Sequence, residues 1–272
     1  MVPLMTYKPP LFALALMALM AGPAHANPDE AVLNASLLPG WATDQGTHMA
    51  ALNLTLAPGW KTYWRSPGEA GIPPSFDWSG SQNLQSVALH WPTPQVFHTA
   101  GLLSIGYHDG MLLPIEVTAI DPSQPITLRA RVDIGVCKDI CVPAMLDVSV
   151  TLTQPGIGDP AIKAALRDQP IGARAGGLNK ISCTVDATDD GLRLIATLAL
   201  PATGPDETVV VESGMPGVWT SDTAVMRAGD VLTAAADLVG PSGSPFALDR
   251  SAIVLTVLGG GQAIEITGCP AD

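Results

Sequence analysis

Two cysteines four residues apart, Cys137 and Cys141, are the side chains of this sequence best suited to covalent chemistry. A thiolate can attack a disulfide and exchange partners with it, so a cysteine pair can accept or donate two electrons. This chemistry requires that the chain bring the two sulfur atoms together. In one continuous strand the two residues would be too far apart, because each residue of a strand advances about 3.3 Å.

The residues around the pair predict a β-hairpin that brings the cysteines together. Apolar and polar residues alternate through most of residues 126–152, which is typical of antiparallel strands with one buried face. Pairing Cys137 with Cys141 keeps the apolar residues of both strands on one face. It also places Arg131 opposite Asp147, a favourable cross-strand pair. A register slip of one residue would reverse the faces.

This register predicts an exposed disulfide. Residues directly opposite on antiparallel strands have Cα atoms about 4.5–5.5 Å apart, a separation that a disulfide can bridge. Unbroken alternation would point both cysteines away from the core, whereas a bulge at Gly135 would change their direction. The bond closes a very small loop and therefore stabilises the fold little. We interpret Cys137 and Cys141 as a redox-active pair. Lys138 would favour a thiolate and Asp139 would oppose it, so the attacking cysteine stays open.

The sequence gives weaker support to two other kinds of site. Cys137 and Cys141 could bind Cu(I) together with His98 or His108, but the sequence has no M-x-x-M or H-x-H cluster. We therefore predict no metal and no cofactor, with Cu(I) binding as the alternative. A serine hydrolase is not indicated, because no G-x-S-x-G motif occurs.

The remaining cysteines, Cys183 and Cys269, are predicted to form a structural disulfide. Cysteines of an exported chain are usually oxidised in pairs, and the hairpin leaves these two for each other. A bond between positions so distant in sequence would stabilise the fold by about 4–5 kcal/mol in the chain-entropy model.

The N-terminal residues have the pattern of a targeting segment. Lys8, the apolar residues 11–20 and the A-x-A site at residues 24–26 predict a cleavable signal peptide over residues 1–26. The apolar stretch is too short to cross a bilayer, so we expect export to the periplasm without membrane insertion. The net charge of −12 argues against nucleic acid as a partner.

The pattern after the signal peptide predicts an all-β chain. Short alternating segments are separated by turn residues, with 27 Gly and 25 Pro in the sequence, which is typical of antiparallel β-sandwiches. We predict two sandwich domains, residues 27–155 and 178–272. Asp159 and Pro160 begin a short helix within a linker over residues 156–177.

Two motifs resemble a known family. Residues 59–68 (GWKTYWRSPG) with residues 71–74 (GIPP), and residues 136–143 (VCKDICVP), are similar to the periplasmic N-terminal region of the DsbD/ScsB protein-disulfide reductases. The resemblance implies an immunoglobulin-like first domain, and we expect the second sandwich to be of the same type. Cys137 and Cys141 match the redox pair of the family, although their spacing is shorter than in the best-known DsbD domain.

The resemblance also implies a function and partners. The pair would relay electrons from a membrane-embedded or thioredoxin-like donor to periplasmic disulfide oxidoreductases or isomerases, as a thiol–disulfide oxidoreductase. The sequence ends at Asp272 without a membrane or thioredoxin module, so the donor is expected on a separate chain. A cap loop shields the pair in the family, and the matching stretch is expected near residues 98–109, with Tyr107 as the shield. The alternative is a non-catalytic periplasmic binding module, for copper tolerance or assembly, whose disulfides are all structural.

Overall fold

The structure, a computed structural model, describes residues 32–99 and 101–271. Its strands form four sheets, and the sheets form two sandwiches in chain order. This confirms the predicted all-β, immunoglobulin-like class. The predicted signal peptide, residues 1–26, lies outside the described residues.

The first sandwich is built from ten strands. One sheet has the order β1-β2-β8-β5, with β1 Leu33–Ala42, β2 His48–Leu56, β8 Gly110–Ala119 and β5 Leu84–Leu89. The other has the order β10-β9-β3-β7-β6, with β4 also paired to β9. Its strands are β3 Lys61–Tyr63, β4 Ser75–Asp77, β6 Gln95–Thr99, β7 Leu102–His108, β9 Ile126–Cys137 and β10 Cys141–Leu152.

Alternating residues of the facing strands fill the core between these two sheets. On β9 the buried positions include Leu128, Ala130 and Val132, whereas Arg129 and Arg131 between them are exposed. Trp64 is fully buried in the same core, and Trp60 and Trp78 are partly buried against this core. The aromatic residues that follow β2 therefore contribute to the core, and β9 is held with one face against it.

A short helix, α1 Pro160–Arg167, follows the first sandwich and confirms the prediction made from Asp159 and Pro160. The Asp159 side chain accepts hydrogen bonds from the backbone N–H groups of Ala161 and Ile162, which caps the helix N-terminus. Ile162 is fully buried beside Met49 and Ala51 of β2, so the helix covers the outer face of that sheet.

The second sandwich has nine strands in two sheets. One has the order β11-β19-β18-β14, with β11 Ile171–Gly172, β19 Gln262–Thr267, β18 Val254–Gly259 and β14 Thr208–Glu212. The other has the order β12-β13-β17-β15, with β16 also paired to β17. Its strands are β12 Lys180–Ala187, β13 Leu192–Ala199, β15 Trp219–Thr220, β16 Ala224–Ala228 and β17 Val231–Val239. β11 lies within the stretch predicted as linker, yet it pairs in parallel with β19 and so extends the second sandwich.

Candidate functional site

The β9–β10 hairpin holds Cys137 and Cys141 opposite each other, as the sequence predicts. The pairing is continuous from Cys141↔Cys137 to Leu152↔Ile126, and Arg131 lies opposite Asp147. No register shift interrupts the hairpin, so Gly135 makes no bulge in it. The two cysteines are joined by a disulfide, with their Cα atoms 4.1 Å apart.

The two sulfur atoms differ in their access to solvent, and here the sequence-based expectation is half wrong. Cys141 is exposed, but only 1% of Cys137 is exposed although it lies on the outer face of the sheet. The reason is that β3 pairs with the last residues of β9, with Lys61 directly opposite Cys137. A residue that ends a hairpin strand is therefore covered by a third strand and by the side chains that this strand carries.

Tyr63, at the end of β3, is the side chain that contacts both sulfur atoms. Its hydroxyl oxygen lies 2.8 Å from Cys137 Sγ and 3.3 Å from Cys141 Sγ. A disulfide sulfur carries no hydrogen, so the phenol O–H is the donor. Burial raises the pKa of Tyr63, which is only 2% exposed, and keeps the phenol protonated at neutral pH. The site thus has a protonated phenol whose nearest hydrogen-bond acceptor is Cys137 Sγ.

Gly135 makes room for the Tyr63 ring. Residues at alternate positions of one strand share a face, so Gly135 lies next to Cys137 on the outer face of β9. A Cβ atom at Gly135 would lie 3.0 Å from Cε2 of Tyr63 and 2.9 Å from Cβ of Ile72. The Thr62 hydroxyl donates to the Gly135 carbonyl oxygen at 3.0 Å and fixes β3 against β9. The glycine is thus needed for close packing of Tyr63 beside the disulfide.

Residues 65–73, which we term the covering segment, connect β3 to β4 over this part of the sheet. The Ala70 carbonyl oxygen lies 3.4 Å from the Tyr63 hydroxyl, and Ile72 contacts the site of Gly135. The stretch predicted as a cap, residues 98–109, belongs largely to the β6–β7 hairpin, which continues the sheet beside β3. His98 and His108 of this stretch line a groove that reaches Cys137, and Tyr63 contacts the disulfide directly. A cap in this stretch stays a prediction.

Comparisons with known proteins agree with this geometry. Residues 30–153 match the family model described as "Thiol:disulfide interchange protein DsbD, N-terminal". These residues are similar to a DsbD N-terminal domain. The match includes the disulfide, Tyr63 and the covering segment, so the likeness to thiol–disulfide interchange proteins extends over the candidate site.

A solved structure extends the similarity in fold to both sandwiches. The crystal structure of the N-terminal periplasmic domain of ScsB from Proteus mirabilis is 22% identical, with a TM-score of 0.63. The alignment covers 88% of this chain and 92% of that one. The comparison with curated proteins returned no match.

Tyr107, predicted as the shield, lies in the β10-β9-β3-β7-β6 sheet, on the face opposite to Cys137. Across the sheet, Tyr107 pairs with Thr62 and Thr62 pairs with Val136, and the side of this row that carries Tyr107 and Val136 faces the core. The neighbouring row, in which Lys61 pairs with Cys137, faces outward. The Tyr107 hydroxyl donates to the Pro92 carbonyl oxygen at 2.8 Å, and burial raises the pKa of Tyr107 well above its usual value. Tyr107 is thus a core residue, and the shielding contact belongs to Tyr63.

A row of basic and aromatic side chains borders Cys137 on the outer face. Lys61 donates to Ser104 Oγ at 3.1 Å, its Nζ lies 5.1 Å from the centre of the Phe97 ring, and burial lowers its pKa. A shallow groove of about 350 Å³ reaches Cys137 and is lined by Lys61, Phe97, His98, His108 and Lys138. The Lys61 ammonium would favour a thiolate at Cys137.

The groove brings both candidate copper-binding histidines close to Cys137, but the cysteine is occupied in the disulfide. Within residues 32–99 and 101–271, no group of three or more His, Cys, Asp or Glu side chains is arranged to hold a metal ion. The expectations of no cofactor and of Cu(I) as the alternative stay predictions.

Cys183 and Cys269 form the second disulfide, so the predicted pairing is confirmed. The Cα atoms are 5.6 Å apart, and both residues are almost fully buried, at 2% and 1%. The Arg250 guanidinium donates to the Cys183 carbonyl oxygen at 2.9 Å and so fixes the backbone beside this disulfide. Burial of both sulfur atoms fits the structural role predicted for this bond.

Sequence reasoning missed Tyr63 and Lys61, the two residues of β3 that border the disulfide. Thr62 and Tyr63 are both buried, so burial does not alternate along β3. A strand of three residues is also too short for a period-two pattern to be distinguished from a loop.

Proposed function

We propose that this chain is a periplasmic thiol–disulfide interchange protein in which Cys137 and Cys141 relay two electrons. The donor would be a membrane-embedded or thioredoxin-like reductase on a separate chain. The acceptor would be a periplasmic disulfide oxidoreductase or isomerase. The DsbD N-terminal domain match supports this class of reaction, and the similarity to a periplasmic ScsB domain supports the location.

The observation that carries the proposal is the asymmetry of the disulfide. Cys141 is an exposed residue, whereas Cys137 is 1% exposed and its Sγ is the nearer of the two to the Tyr63 hydroxyl, at 2.8 Å against 3.3 Å. An exchange reaction needs one accessible sulfur and one good leaving group. A hydrogen bond to a thiolate lowers the pKa of the corresponding thiol and so improves it as a leaving group. We therefore assign Cys141 as the sulfur that bonds to partners.

Reduction of the pair follows from this assignment. A donor thiolate attacks Cys141 Sγ, a mixed disulfide forms, and the Cys137–Cys141 bond breaks. Cys137 leaves as a thiolate that accepts the Tyr63 O–H hydrogen bond. The second thiolate of the donor then attacks the donor sulfur that is bonded to Cys141. This step forms the disulfide of the donor and releases Cys141 as a thiolate. The donor is oxidised to a disulfide, and the pair has gained two electrons.

The second half of the cycle passes these electrons on. The Cys141 thiolate attacks an acceptor disulfide, forms a mixed disulfide and releases one acceptor thiolate. Cys137 then attacks Cys141 Sγ, which restores the Cys137–Cys141 bond and releases the second acceptor thiolate. In total, one donor dithiol and one acceptor disulfide become a donor disulfide and an acceptor dithiol. The chain is unchanged and therefore acts as a thiol–disulfide oxidoreductase.

The periplasmic location is proposed from the signal sequence expected over residues 1–26 and from the two disulfides, which persist in oxidising compartments. Among the residues that the structure describes, no helix has the length and apolar character needed to span a bilayer.

Trapping of mixed disulfides in cells tests the proposal. Cys137→Ser keeps the exposed Cys141 but removes the sulfur that resolves its mixed disulfide, so this variant should accumulate covalent complexes with partner proteins. Cys141→Ser leaves only the buried sulfur and should trap far less. The control is the double variant Cys183→Ser/Cys269→Ser, which should trap nothing. Absence of complexes with Cys137→Ser, at normal expression, would refute the relay and favour a binding module with structural disulfides.

A further inference from the structure

We propose that the second sandwich is a positioning element for the redox site: through Arg65, Glu69 and Asp222 it holds the covering segment over the disulfide and slows thiol exchange. This inference rests on the proposed function, because it assigns to the second sandwich a role in the exchange reaction of the first. Its evidence is a continuous set of contacts that joins the two sandwiches through residues 65–73.

The first contact consists of two ion pairs that Arg65 forms with carboxylates of the second sandwich. Its guanidinium Nη2 lies 2.9 Å from Glu212 Oε2 and 2.6 Å from Glu265 Oε2, and its Nε donates to Glu212 Oε1 at 3.0 Å. Glu212 ends β14 and Glu265 lies on β19, so both carboxylates belong to one sheet of the second sandwich. The guanidinium also lies 4.4 Å from the Trp64 ring, which is fully buried next to Tyr63 in the chain.

The second contact is a reciprocal pair of hydrogen bonds in the middle of the segment. The backbone N–H of Glu69 donates to Asp222 Oδ1 at 3.1 Å, and the backbone N–H of Asp222 donates to Glu69 Oε1 at 3.4 Å. Asp222 precedes β16 of the second sandwich. The covering segment is therefore attached to the second sandwich at its first residue, Arg65, and at its middle residue, Glu69.

A single turn connects this attachment to the disulfide. The Gly71 N–H donates to the Gly68 carbonyl oxygen at 3.2 Å, and Gly68 has a φ of +77°, a conformation that glycine adopts without strain. The two residues between them face different partners. Glu69 bonds to Asp222, whereas the Ala70 carbonyl oxygen faces the Tyr63 hydroxyl that covers Cys137. Movement of the turn at Glu69 must therefore move Ala70.

The surroundings allow such movement. A cleft of about 720 Å³ lies between the sandwiches, lined on one side by residues 65–69 and on the other by β14 and the loop that carries Asp222. On this side the turn is held by the polar contacts of Arg65 and Glu69, while Val210, Leu258 and Ala263 of the second sandwich join the apolar core cluster of the first. Loss of the polar contacts should let the turn shift toward the cleft and uncover Tyr63 and Cys137.

The test measures how fast the Cys137–Cys141 bond of the full chain is reduced by excess dithiothreitol, read by alkylation and peptide mass. A thiolate of dithiothreitol attacks Cys141, Cys137 leaves, and the second thiolate closes the oxidised dithiothreitol ring. We expect Asp222→Ala and the double variant Glu212→Gln/Glu265→Gln to be reduced about three- to tenfold faster, the range expected for loss of one or two partly exposed polar contacts.

Two controls separate positioning from a general loss of stability. Asp222→Asn keeps the oxygen that accepts the Glu69 N–H and should restore the wild-type rate. Asp237→Ala breaks the exposed Arg193–Asp237 ion pair in the same sandwich, 2.8 Å long, and should leave the rate unchanged. Thermal unfolding of each variant reports folding separately. Equal rates in all variants, or an equal increase in Asp237→Ala, would overturn the inference. Because dithiothreitol needs no protein partner, this result is independent of whether the relay itself is confirmed.

Discussion

Removal of the Tyr63 hydroxyl should weaken Cys137 as a leaving group. Tyr63→Phe retains the ring against Gly135 and deletes only the O–H that lies 2.8 Å from Cys137 Sγ. In the oxidised protein the hydroxyl bonds a neutral sulfur, a weak acceptor. In the reduced protein it bonds a thiolate, which is a stronger interaction. The substitution therefore destabilises the reduced, ionised state more than the disulfide.

The size of the effect follows from these two bonds. A hydrogen bond to a charged group contributes about 1.5–3 kcal/mol, and one to a weak neutral acceptor about 0.5–1 kcal/mol, so the difference is about 1–2 kcal/mol. One pKa unit corresponds to about 1.4 kcal/mol, so the pKa of the Cys137 thiol should rise by about 1 unit. For a two-electron couple about 1.4 kcal/mol equals 30 mV. The midpoint should become more negative by about 20–45 mV where Cys137 is ionised, and should not change where it is protonated.

Thiolate absorbance of the reduced protein against pH gives the pKa, and equilibration with graded dithiol buffers gives the midpoint. Tyr107→Phe is a matched control, because it deletes the same atom from a tyrosine on the opposite face of the sheet. It should lower the free energy of unfolding by about 1 kcal/mol, through loss of the bond to Pro92, and change neither redox value. An unchanged Cys137 pKa in Tyr63→Phe, or an equal shift in Tyr107→Phe, would refute the assigned role of Tyr63.

Three further predictions concern packing, the second disulfide and pH. Gly135→Ala places a methyl group 3.0 Å from the Tyr63 ring and should lower the free energy of unfolding in urea by about 1–3 kcal/mol; an unaffected midpoint of unfolding would contradict the tight packing. Cys183→Ser/Cys269→Ser should lower it by about 4–5 kcal/mol, since the bond spans 86 positions, without changing the Cys137–Cys141 potential. Burial lowers the pKa of His48, whose ring donates to the Pro39 carbonyl oxygen. Neutral His48 therefore contributes fully to the free energy of unfolding above about pH 6.5, and this contribution is lost as the pH falls through the folded-state pKa. His48→Gln, measured between about pH 5 and 7, should show a weaker decline than wild type.

The hairpin was predictable because its two strands are long and alternate without interruption. Residues 126–152 supply a full register, and only one pairing keeps all apolar residues on one face. The pairing of both disulfides followed from it. The short helix was equally predictable, because Asp159 and Pro160 form a local capping signal that needs no tertiary contact.

The cover of the site was not predictable by the same means. Tyr63 reaches Cys137 because β3 joins the sheet between β9 and β7, which is a long-range pairing of a three-residue strand. Periodicity cannot assign so short a strand, and the resemblance to the DsbD/ScsB family points to Tyr107 as the shield instead. Tyr107 follows the parity of Thr62 and Val136, which places it in the core. Burial of Cys137 has the same origin, since its cover comes from residues about 70 positions away in sequence.

The reduction potential of Cys137–Cys141 tests the central claim most directly. The protein would be equilibrated in graded thiol buffers, free thiols alkylated, and each disulfide quantified by peptide mass. The account predicts a midpoint between about −180 and −270 mV, the range of exchange proteins, with Cys183–Cys269 still oxidised there. Midpoints below about −300 mV for both pairs would contradict it and identify two structural disulfides.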